Sequence, residues 1–548
     1  MDDPVVHKGG ARMAGTVIEK IKICLDSKKN FLLSGGAGSG KTYTLIQTLH
    51  HVFKSNPKAH VACITYTNVA ADEIKERSPY SKLRVSTIHD FLWDEIKEYQ
   101  KNLKNSVLNL ISAEKVSKGS GLAYSGEFDI NEQTFAYVEY QNYRDLEHGV
   151  ISHDDLLKVA NYMFSTYSLL SKILCDKYDY IFIDEYQDTQ SVVIEIFLEH
   201  IKVAAKNRLC VGFFGDKMQS IYDSGVGNIQ RYVSAGEVCE VIKEGNYRCA
   251  VNVISLLNRL RSDIQQQPAK MTAEGIIANK SGSATFIYSN KEFDLQAFKT
   301  SKFVTGWNFE NYKETRVLFL THKLSAVQLG FAELLSAYSN NDRLMGKEPD
   351  RLAKHLLKIG SILFYYSKKK FAYVISEMQR KIKNVSDKRQ ISQSLSHLCA
   401  NLDINIGQLI EAFDKERFVR KDDRFNEFLE NHVETYDRIK VLPASQVLAY
   451  FKYYNDFSPY STQHGIKGAE FDNVLVIMDN GRWNNYNFKY FFEQTPGKES
   501  VIQRTQRIFY VCCSRAMDNL VVYYPNPSAG IIAQVKDLFG DENVFSLD

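Results

Sequence analysis

The sequence of 548 residues lacks the features that mark extracellular, metal-clustered or disordered proteins. Its nine cysteines form no CxxC pair, which argues against a zinc ribbon or an iron–sulfur cluster. Ten prolines are too few for long disordered linkers. The first residues have no secretory pattern and no apolar run reaches 18 residues, so we expect a cytoplasmic protein with no membrane partner.

Charge is nearly balanced, and the chain is too long for a single core. Lys and Arg number 68 against 65 Asp and Glu, a net charge of +3 that is too small to indicate a nucleic-acid partner by itself. The length predicts roughly three or four domains. Eight basic residues between Lys368 and Arg389 fit either a solvated helix face or a strip that binds duplex, and the sequence leaves both open.

A glycine-rich octet is the strongest motif that is present. Residues 35–42 read GGAGSGKT, between an apolar run typical of a buried strand and a segment that can continue as a helix. Backbone N–H groups of such a loop turn toward phosphates, and the following helix N-terminus adds partial positive charge. We therefore predict a phosphate-binding P-loop. Its residues are Gly35, Gly38, Ser39, Gly40, Lys41 and Thr42.

Lys41 is predicted to reach the β- and γ-phosphates, and the Thr42 hydroxyl to hold Mg²⁺. A second apolar run, residues 178–183, ends in Asp184 and Glu185. A strand that delivers two carboxylates suits an NTPase, with Asp184 on the metal and Glu185 on the attacking water. A third run, residues 209–214, precedes Gln219, which we interpret as a sensor of the γ-phosphate.

These motifs belong to an ordered series. DEYQDT at 184–189 and GDKMQSIY at 215–222 resemble motifs II and III of the UvrD/Rep/PcrA helicases of superfamily 1. TYTNVAA at 65–71, STIH at 86–89, NYR at 246–248, TQHGIKGAEF at 462–471 and the segment 507–516 resemble motifs Ia, Ib, IV, V and VI. The matches span residues 35–516 in the order found in that family.

The resemblance implies an α/β fold with two RecA-like P-loop domains, each built on a parallel sheet and each carrying an inserted, mainly helical subdomain. The first RecA-like domain would comprise 1–92 and 174–240, with a helical insertion at 93–173. The second would comprise 241–325 and 441–548, with a reduced helical insertion at 326–440. The 143 positions from Lys41 to Asp184 require an insertion between them.

The resemblance also assigns residues in the second half of the core, which begins at residue 241, to ATP. Arg248 and Arg515 would be arginine fingers, both contributed by the second half, so that ATP closes a cleft and hydrolysis reopens it. Tyr247 would stack on adenine, and Glu470 would accept a hydrogen bond from the ribose. One departure is the absence of glutamine from residues 1–46, where the family reads adenine, so other nucleoside triphosphates remain open.

A single-stranded nucleic acid is the expected partner of motifs Ia, Ib, III and V. Phosphate hydrogen bonds and base stacking grip such a strand without sequence preference. For the two tyrosines of this set, packing at the edge of the core is the alternative. Ser224 and Gly225 stand where the family places an aromatic residue and an arginine. The matching positions are Tyr66, Thr67, Asn68, Thr87, His89, Tyr222 and His464.

Two functions follow from the resemblance. The first is an ATP-dependent translocase on single-stranded DNA, with Mg²⁺ as cofactor and 3′→5′ helicase activity. The second is a regulatory subunit that senses nucleotide and DNA ends beside a nuclease partner in anti-phage defence, as compact relatives of this family do. The sequence does not decide between DNA and RNA, and it does not fix the oligomeric state.

Overall fold

The computed structural model describes residues 16–66, 68–124, 130, 131, 133–202, 208–221, 229–272, 275, 277–291, 293–346, 348–463, 465, 466, 468–479 and 484–548. The chain divides into two compact units. The first unit is Met1–Cys249 with Leu257–Asn279, and the second is Ala250–Leu256 with Lys280–Asp548.

The first unit contains a parallel sheet flanked by helices. Its strands are β1 (Phe31–Gly35), β2 (Val61–Thr65), β3 (Leu83–Thr87), β4 (Glu139–Tyr140), β5 (Val150–Ile151), β6 (Tyr180–Ile183), β7 (Cys210–Gly215), β8 (Cys239–Lys243), β9 (Gly245–Asn246) and β10 (Gln267–Pro268). Among the described residues, six strands form the main sheet in the order β3-β2-β6-β7-β1-β8. All its neighbours run parallel, and β4–β5 and β9–β10 form two small separate pairs.

Helices join these strands. They are α1 (Val17–Asp26), α2 (Lys41–Ser55), α3 (Asn68–Arg77), α4 (Ile88–Ile96), α5 (Gln100–Val116), α6 (His153–Thr166), α7 (Ser168–Lys177), α8 (Ser191–Glu195) and α9 (Ile229–Ser234). A further helix, α10 (Val251–Arg259), is divided between the units: its residues up to Leu256 belong to the second and its last residues to the first. Short turns of 3-10 helix cover Leu146–His148, Tyr186–Asp188 and Lys217–Gln219, and one π-helical turn covers Ile196–His200.

The central strands are buried on both faces, which explains their continuous apolar sequences. Successive side chains of a strand point to opposite faces. In β1, Leu33 accordingly packs with Leu45 and Leu49 of α2, whereas Leu32 packs with the larger core that includes α4, α5 and α6. This double burial fixes the sheet between two helical layers and holds the loops at the strand ends in place.

The second unit repeats the architecture. Its strands are β11 (Ser283–Ser289), β12 (Thr315–Phe319), β13 (Tyr460–Thr462), β14 (Phe471–Ile477), β15 (Ala516–Pro525) and β16 (Val544–Ser546), in the order β13-β12-β14-β15-β11-β16. The pairings of its described strands are all parallel.

Helices of the second unit cover the sheet or form a separate core between β12 and β13. Around the sheet lie Leu295–Phe298, Phe488–Glu493, Glu499–Cys513 and Ala529–Phe539, with 3-10 turns at Lys302–Val304 and Asp541–Asn543. Between β12 and β13 lie His322–Leu329, Ala332–Ala337, Asp342–Met345, Arg351–Ser367, Phe371–Glu377, Val385–Ala400, Ile406–Lys415, Asp423–Asn431, Val433–Lys440 and Ser445–Tyr454. Residues from these last helices share one apolar cluster, which includes Leu356, Ile359, Phe413 and Tyr450.

The expected fold class is confirmed by the two parallel sheets and their helical layers. The predicted boundary at residue 241 differs from the observed division, because β8 crosses it and pairs with β1 in the first unit. The limits of the helical insertions stay a prediction. Within the part of the chain described above, no helix has the length and apolar character needed to cross a lipid bilayer.

Candidate functional site

Every motif of the first half follows the end of a strand in the first sheet. Because parallel strands all end on the same side, we call this side the carboxyl edge. From one side of the sheet to the other, the strands end at Thr87, Thr65, Ile183, Gly215, Gly35 and Lys243. Motifs Ib, Ia, II, III, I and IV therefore line this edge in that spatial order. The strands of motifs II and III stand between the P-loop strand and the strands of motifs Ia and Ib.

The loop after β1 has the geometry of a phosphate cradle. Gly38 and Gly40 adopt φ angles of 72° and 71°, a left-handed conformation that side chains disfavour. Lys41 begins α2, is buried, and donates from Nζ to the Gly35 carbonyl oxygen at 3.2 Å. The Ser39 hydroxyl is buried in the loop without a hydrogen-bond partner. A buried lysine, an unsatisfied hydroxyl and a helix N-terminus together suit an anion.

Two amides from outside the loop hold it in this shape. Asn246, at the end of β9, donates from Nδ2 to the Ala37 carbonyl oxygen at 3.2 Å, and Gln266 donates to the same oxygen at 2.9 Å. The backbone N–H of Tyr247 donates to the Gly38 carbonyl oxygen at 2.8 Å. Neither amide was predicted, since both contacts join residues more than 200 positions apart and carry no local signal.

Lys243, the last residue of β8, was also missed. Its Nζ donates to the Gly40 carbonyl oxygen at 3.1 Å and to the Thr44 hydroxyl at 2.5 Å, and it lies 5.5 Å from the centre of the Tyr247 ring. Burial, followed by the charge of Lys41, lowers the pKa of Lys243 to about 8. Tyr247 is 49 % exposed, which suits a stacking contact.

The carboxylate pair after β6 is held tightly. The Asp184 carboxyl is buried, and its Oδ1 accepts a hydrogen bond from the Glu185 backbone N–H at 3.0 Å. Burial, and next the charge of Glu185, raise the pKa of Asp184 to about 7. A buried carboxylate of this kind calls for a nearby cation. The oxygen donors of Asp184 and Thr42 are those that Mg²⁺ prefers, so the residues fit this ion.

Gln219 lies in a buried network at the end of β7. Its Nε2 donates to Asp216 Oδ2 at 3.0 Å, and the Asp216 carboxylate also pairs with Arg261. The Asp216 backbone N–H donates to Gln187 Oε1 at 3.0 Å, while Gln187 Nε2 donates to Glu185. The network thus brings Glu185 and Gln219 into one connected set, which their positions in the sequence did not reveal.

The positions predicted to bind a nucleic-acid strand are described only in part. Thr87 caps α4, accepting a hydrogen bond from the Asp90 backbone N–H at 3.2 Å, and Tyr66 is 43 % exposed. His89 is half-buried against the His153 ring, and burial, followed by the charge of His153, lowers its pKa to about 4. Thr67, Tyr222, His464 and the side chain of Asn68 lie outside the described residues.

The sequence led us to expect both predicted arginine fingers in the second half of the core. Only one of them lies in the second unit. Arg248 belongs to the first unit, because β8 pairs with β1 and delivers the next residues to the P-loop. A Cβ on Gly38 would come within 2.7 Å of the Arg248 Cβ. Arg515 does lie in the second unit, buried, with Nε donating to Val511 and one terminal nitrogen to Ala469. Glu470, also in that unit, is exposed.

The chain is similar in sequence to several known proteins. The AAA domain family matches residues 20–225. A Gabija protein GajB of Bacillus cereus strain HuB5-5 is 27 % identical over 94 % of this chain and 96 % of its own length. A probable DNA helicase II homolog of Rickettsia conorii is 27 % identical over 46 % of the chain and 45 % of its own length. The ATP-dependent DNA helicase Rep of Buchnera aphidicola is 24 % identical over 42 % of the chain and 41 % of its own length.

The two helicases are therefore matched over less than half of their length, whereas the GajB protein is matched nearly from end to end. The matched AAA domain contains the P-loop, the Asp184–Glu185 pair and Gln219. The match to this domain family implies the use of ATP. The chain is similar to the UvrD/Rep-like helicases of superfamily 1, as its motifs predicted.

Proposed function

We propose that the chain is a DNA-stimulated ATPase that moves along single-stranded DNA, with 3′→5′ helicase activity. The order of motifs along the carboxyl edge is the observation that carries this proposal. The P-loop and motif IV occupy one side, motifs Ia and Ib the other, and the hydrolytic carboxylate and the sensor amide lie between them. Loss of the γ-phosphate would therefore be transmitted through these two groups to the strands of motifs Ia and Ib, the proposed DNA-binding side of the edge.

Each residue on the nucleotide side has a proposed chemical role. Lys41 exchanges its carbonyl contact for the β- and γ-phosphates, which offer it a stronger, charge-assisted hydrogen bond. Thr42 and Asp184 hold Mg²⁺, which supplies positive charge beside the phosphates. Glu185 orients and deprotonates the attacking water, and Gln219 senses the γ-phosphate.

The remaining assignments extend the proposal. Tyr247 stacks on the base, and Glu470 contacts the ribose. Arg248 and Arg515 supply positive charge as the γ-phosphate separates. On the DNA side, Tyr66 stacks on a base, and Thr87 and His89 contact phosphates. Thr67, Asn68, Tyr222 and His464 complete this set by resemblance alone.

ATPase measurements with single-stranded DNA, duplex DNA and RNA test the proposal. We expect single-stranded DNA to stimulate turnover most, and Lys41→Ala to abolish turnover while the protein stays folded. Lys54→Ala is the matched control, because Lys54 is exposed in the last turn of the same helix α2 and should leave turnover unchanged. Wild-type turnover in the Lys41 variant would disprove the P-loop assignment.

The end-to-end match with a Gabija protein favours a second candidate function. In this alternative the chain is a subunit that senses nucleotide and DNA ends and signals to a nuclease partner, and processive unwinding is secondary. A duplex-unwinding assay with and without a co-purified partner separates the two functions. DNA-stimulated ATPase activity without unwinding in both samples would favour the sensor, and unwinding by the isolated chain would favour the motor.

A further inference from the structure

Asp216, which accepts a hydrogen bond from Gln219, forms a fully buried ion pair with Arg261. Arg261 donates to Asp216 Oδ2 at 3.1 Å and lies 3.0 Å from Oδ1 through its other terminal nitrogen. Both side chains have no exposed surface. Arg261 belongs to none of the helicase-like motifs and lies 45 positions after Asp216. A bidentate arginine–carboxylate pair fixes the plane of the carboxylate as well as its position.

The guanidinium is itself fixed from a second direction. Arg261 Nε lies 2.8 Å from Asp263 Oδ1, and a terminal nitrogen donates to Asp263 Oδ2 at 3.0 Å. Two carboxylates thus clamp one buried cation. Because the donors of a guanidinium are rigidly arranged, this arrangement leaves Asp216 little freedom to rotate.

Asp216 in turn sets the orientation of the sensor amide. Its Oδ2 accepts from Gln219 Nε2 at 3.0 Å, and its Oδ1 accepts from the Met218 backbone N–H at 3.1 Å. One Nε2 proton of Gln219 is therefore committed to Asp216, which fixes the direction of the other. Through its backbone, Asp216 also donates to Gln187, the residue that holds Glu185.

We propose that Arg261 is a positioning residue for ATP hydrolysis. It holds Asp216 so that Gln219 faces the γ-phosphate in a single orientation. This inference rests on the proposed function. A displacement of about 1 Å in such a group can cost roughly a hundredfold in rate. Because the contact is with Asp216 and not with the nucleotide, loss of Arg261 should lower kcat and leave KM for ATP within about threefold.

The test begins with three variants of the full chain. Arg261→Met alone leaves the Asp216 carboxylate buried and unpaired, which can unfold the protein. The double variant Arg261→Met with Asp216→Asn removes both charges, so it should fold. The asparagine introduced in place of Asp216 keeps the oxygen that accepts from Gln219 but loses the clamp. Arg259→Met is the control, since Arg259 is exposed two positions earlier.

We expect the folded double variant to lose roughly 10- to 100-fold in kcat. If Arg261 served only stability, the double variant would recover wild-type kcat once folded, and that result would overturn the proposal. In a Gln219→Ala background, the same two substitutions should cause no further loss of kcat. An additional loss of about tenfold in that background would also overturn it, because Arg261 would then act through another group.

A second readout does not depend on turnover. A group that senses the γ-phosphate makes ATPγS bind more tightly than ADP, and the double variant should bring the ratio of the two dissociation constants close to that of Gln219→Ala. An unchanged ratio would count against Arg261. A wild-type protein with no turnover and no preference for ATPγS would instead disprove the proposed function itself, and the inference with it.

Discussion

The buried Asp184 carboxyl predicts an unusual response of stability to pH. Its pKa is raised from an ordinary value of 3.8 to about 7, first by burial and then by the charge of Glu185, with Lys41 opposing. The folded protein therefore holds this proton more tightly than the unfolded chain does. The favourable contribution of the protonated acid is complete below about pH 4 and is lost as the pH rises through about 7.

The size of the effect follows from the same values. The two pKa values differ by about three, and each pKa unit corresponds to about 1.4 kcal/mol, so the cost of the ionised carboxyl at pH 8 has an upper bound of about 4 kcal/mol. Asp184→Asn removes this charge and keeps the side-chain volume. We expect the variant to be more stable than wild type at about pH 8 without Mg²⁺ and nucleotide, and to match it near pH 4.

Thermal unfolding in EDTA at several pH values measures the effect. A gain of 1 kcal/mol raises the melting temperature by about 2–4 °C for a unit of this size, so the upper bound of about 4 kcal/mol means that Asp184→Asn should melt higher than wild type at pH 8 by at most about 8–16 °C. The same variant should lack ATPase activity. Asp72→Asn is the control, because Asp72 is exposed in an ion pair with Lys75 and should change little.

A variant no more stable than wild type at about pH 8 would refute the reasoning, because the carboxyl would then carry no buried charge to relieve. Addition of Mg²⁺ with a nucleotide analogue gives the reverse test. A cation beside Asp184 stabilises its ionised form, so wild type should gain more from Mg²⁺ than the Asp184→Asn variant does.

Three further predictions concern the same edge of the sheet. Glu185→Gln should bind ATP with wild-type affinity and lose most hydrolysis, and undiminished hydrolysis in single-turnover measurements would remove its catalytic role. His89→Ala should weaken single-stranded DNA binding by roughly 5- to 10-fold. The salt dependence of binding should stay the same, because His89 is neutral at pH 7. A smaller slope of the logarithm of the binding constant against the logarithm of the salt concentration would show a cationic contact instead. Gly215→Ala should lower kcat at least about tenfold. The new Cβ would lie 2.2 Å from Gln187 Oε1, so it would displace the amide that joins Asp216 to Glu185. A kcat equal to that of wild type in the purified variant would contradict this prediction.

The sequence predicted those parts of the site that depend on neighbouring residues. The P-loop, the carboxylate pair and the strands before them are each specified within about ten positions, by apolar runs that end in polar residues. The predicted strand at 178–183 was observed as β6, Tyr180–Ile183, and the run at 209–214 as β7, Cys210–Gly215. Double burial of a parallel strand makes such runs easy to recognise.

The residues that support the loop could not be predicted in this way. Asn246, Gln266 and Lys243 reach the P-loop only because β8 lies beside β1, and strand order is not written in any local pattern. Arg248 was expected in the second half for the same reason. Arg261 is a still clearer case, since a lone arginine in a sequence is usually an exposed ion-pair partner, and only the fold shows that it is buried.

The order of strands also gives the proposed function a route by which hydrolysis and strand binding would affect each other. From β1 to β2 the sheet passes through β7 and β6, three spacings of about 4.8 Å, so roughly 14 Å separates the P-loop strand from the motif Ia strand. Hydrogen bonds between fixed groups span the two steps from β7 to β2: Asp216 to Gln187 between β7 and β6, and the Asp184 backbone N–H to the Ile64 carbonyl oxygen of β2 at 2.8 Å. Packed elements of this kind transmit small displacements instead of absorbing them. Gly215 lies at the first of these steps, where even one added methyl group has no room, so its substitution should reduce the stimulation of ATPase activity by DNA as well as kcat.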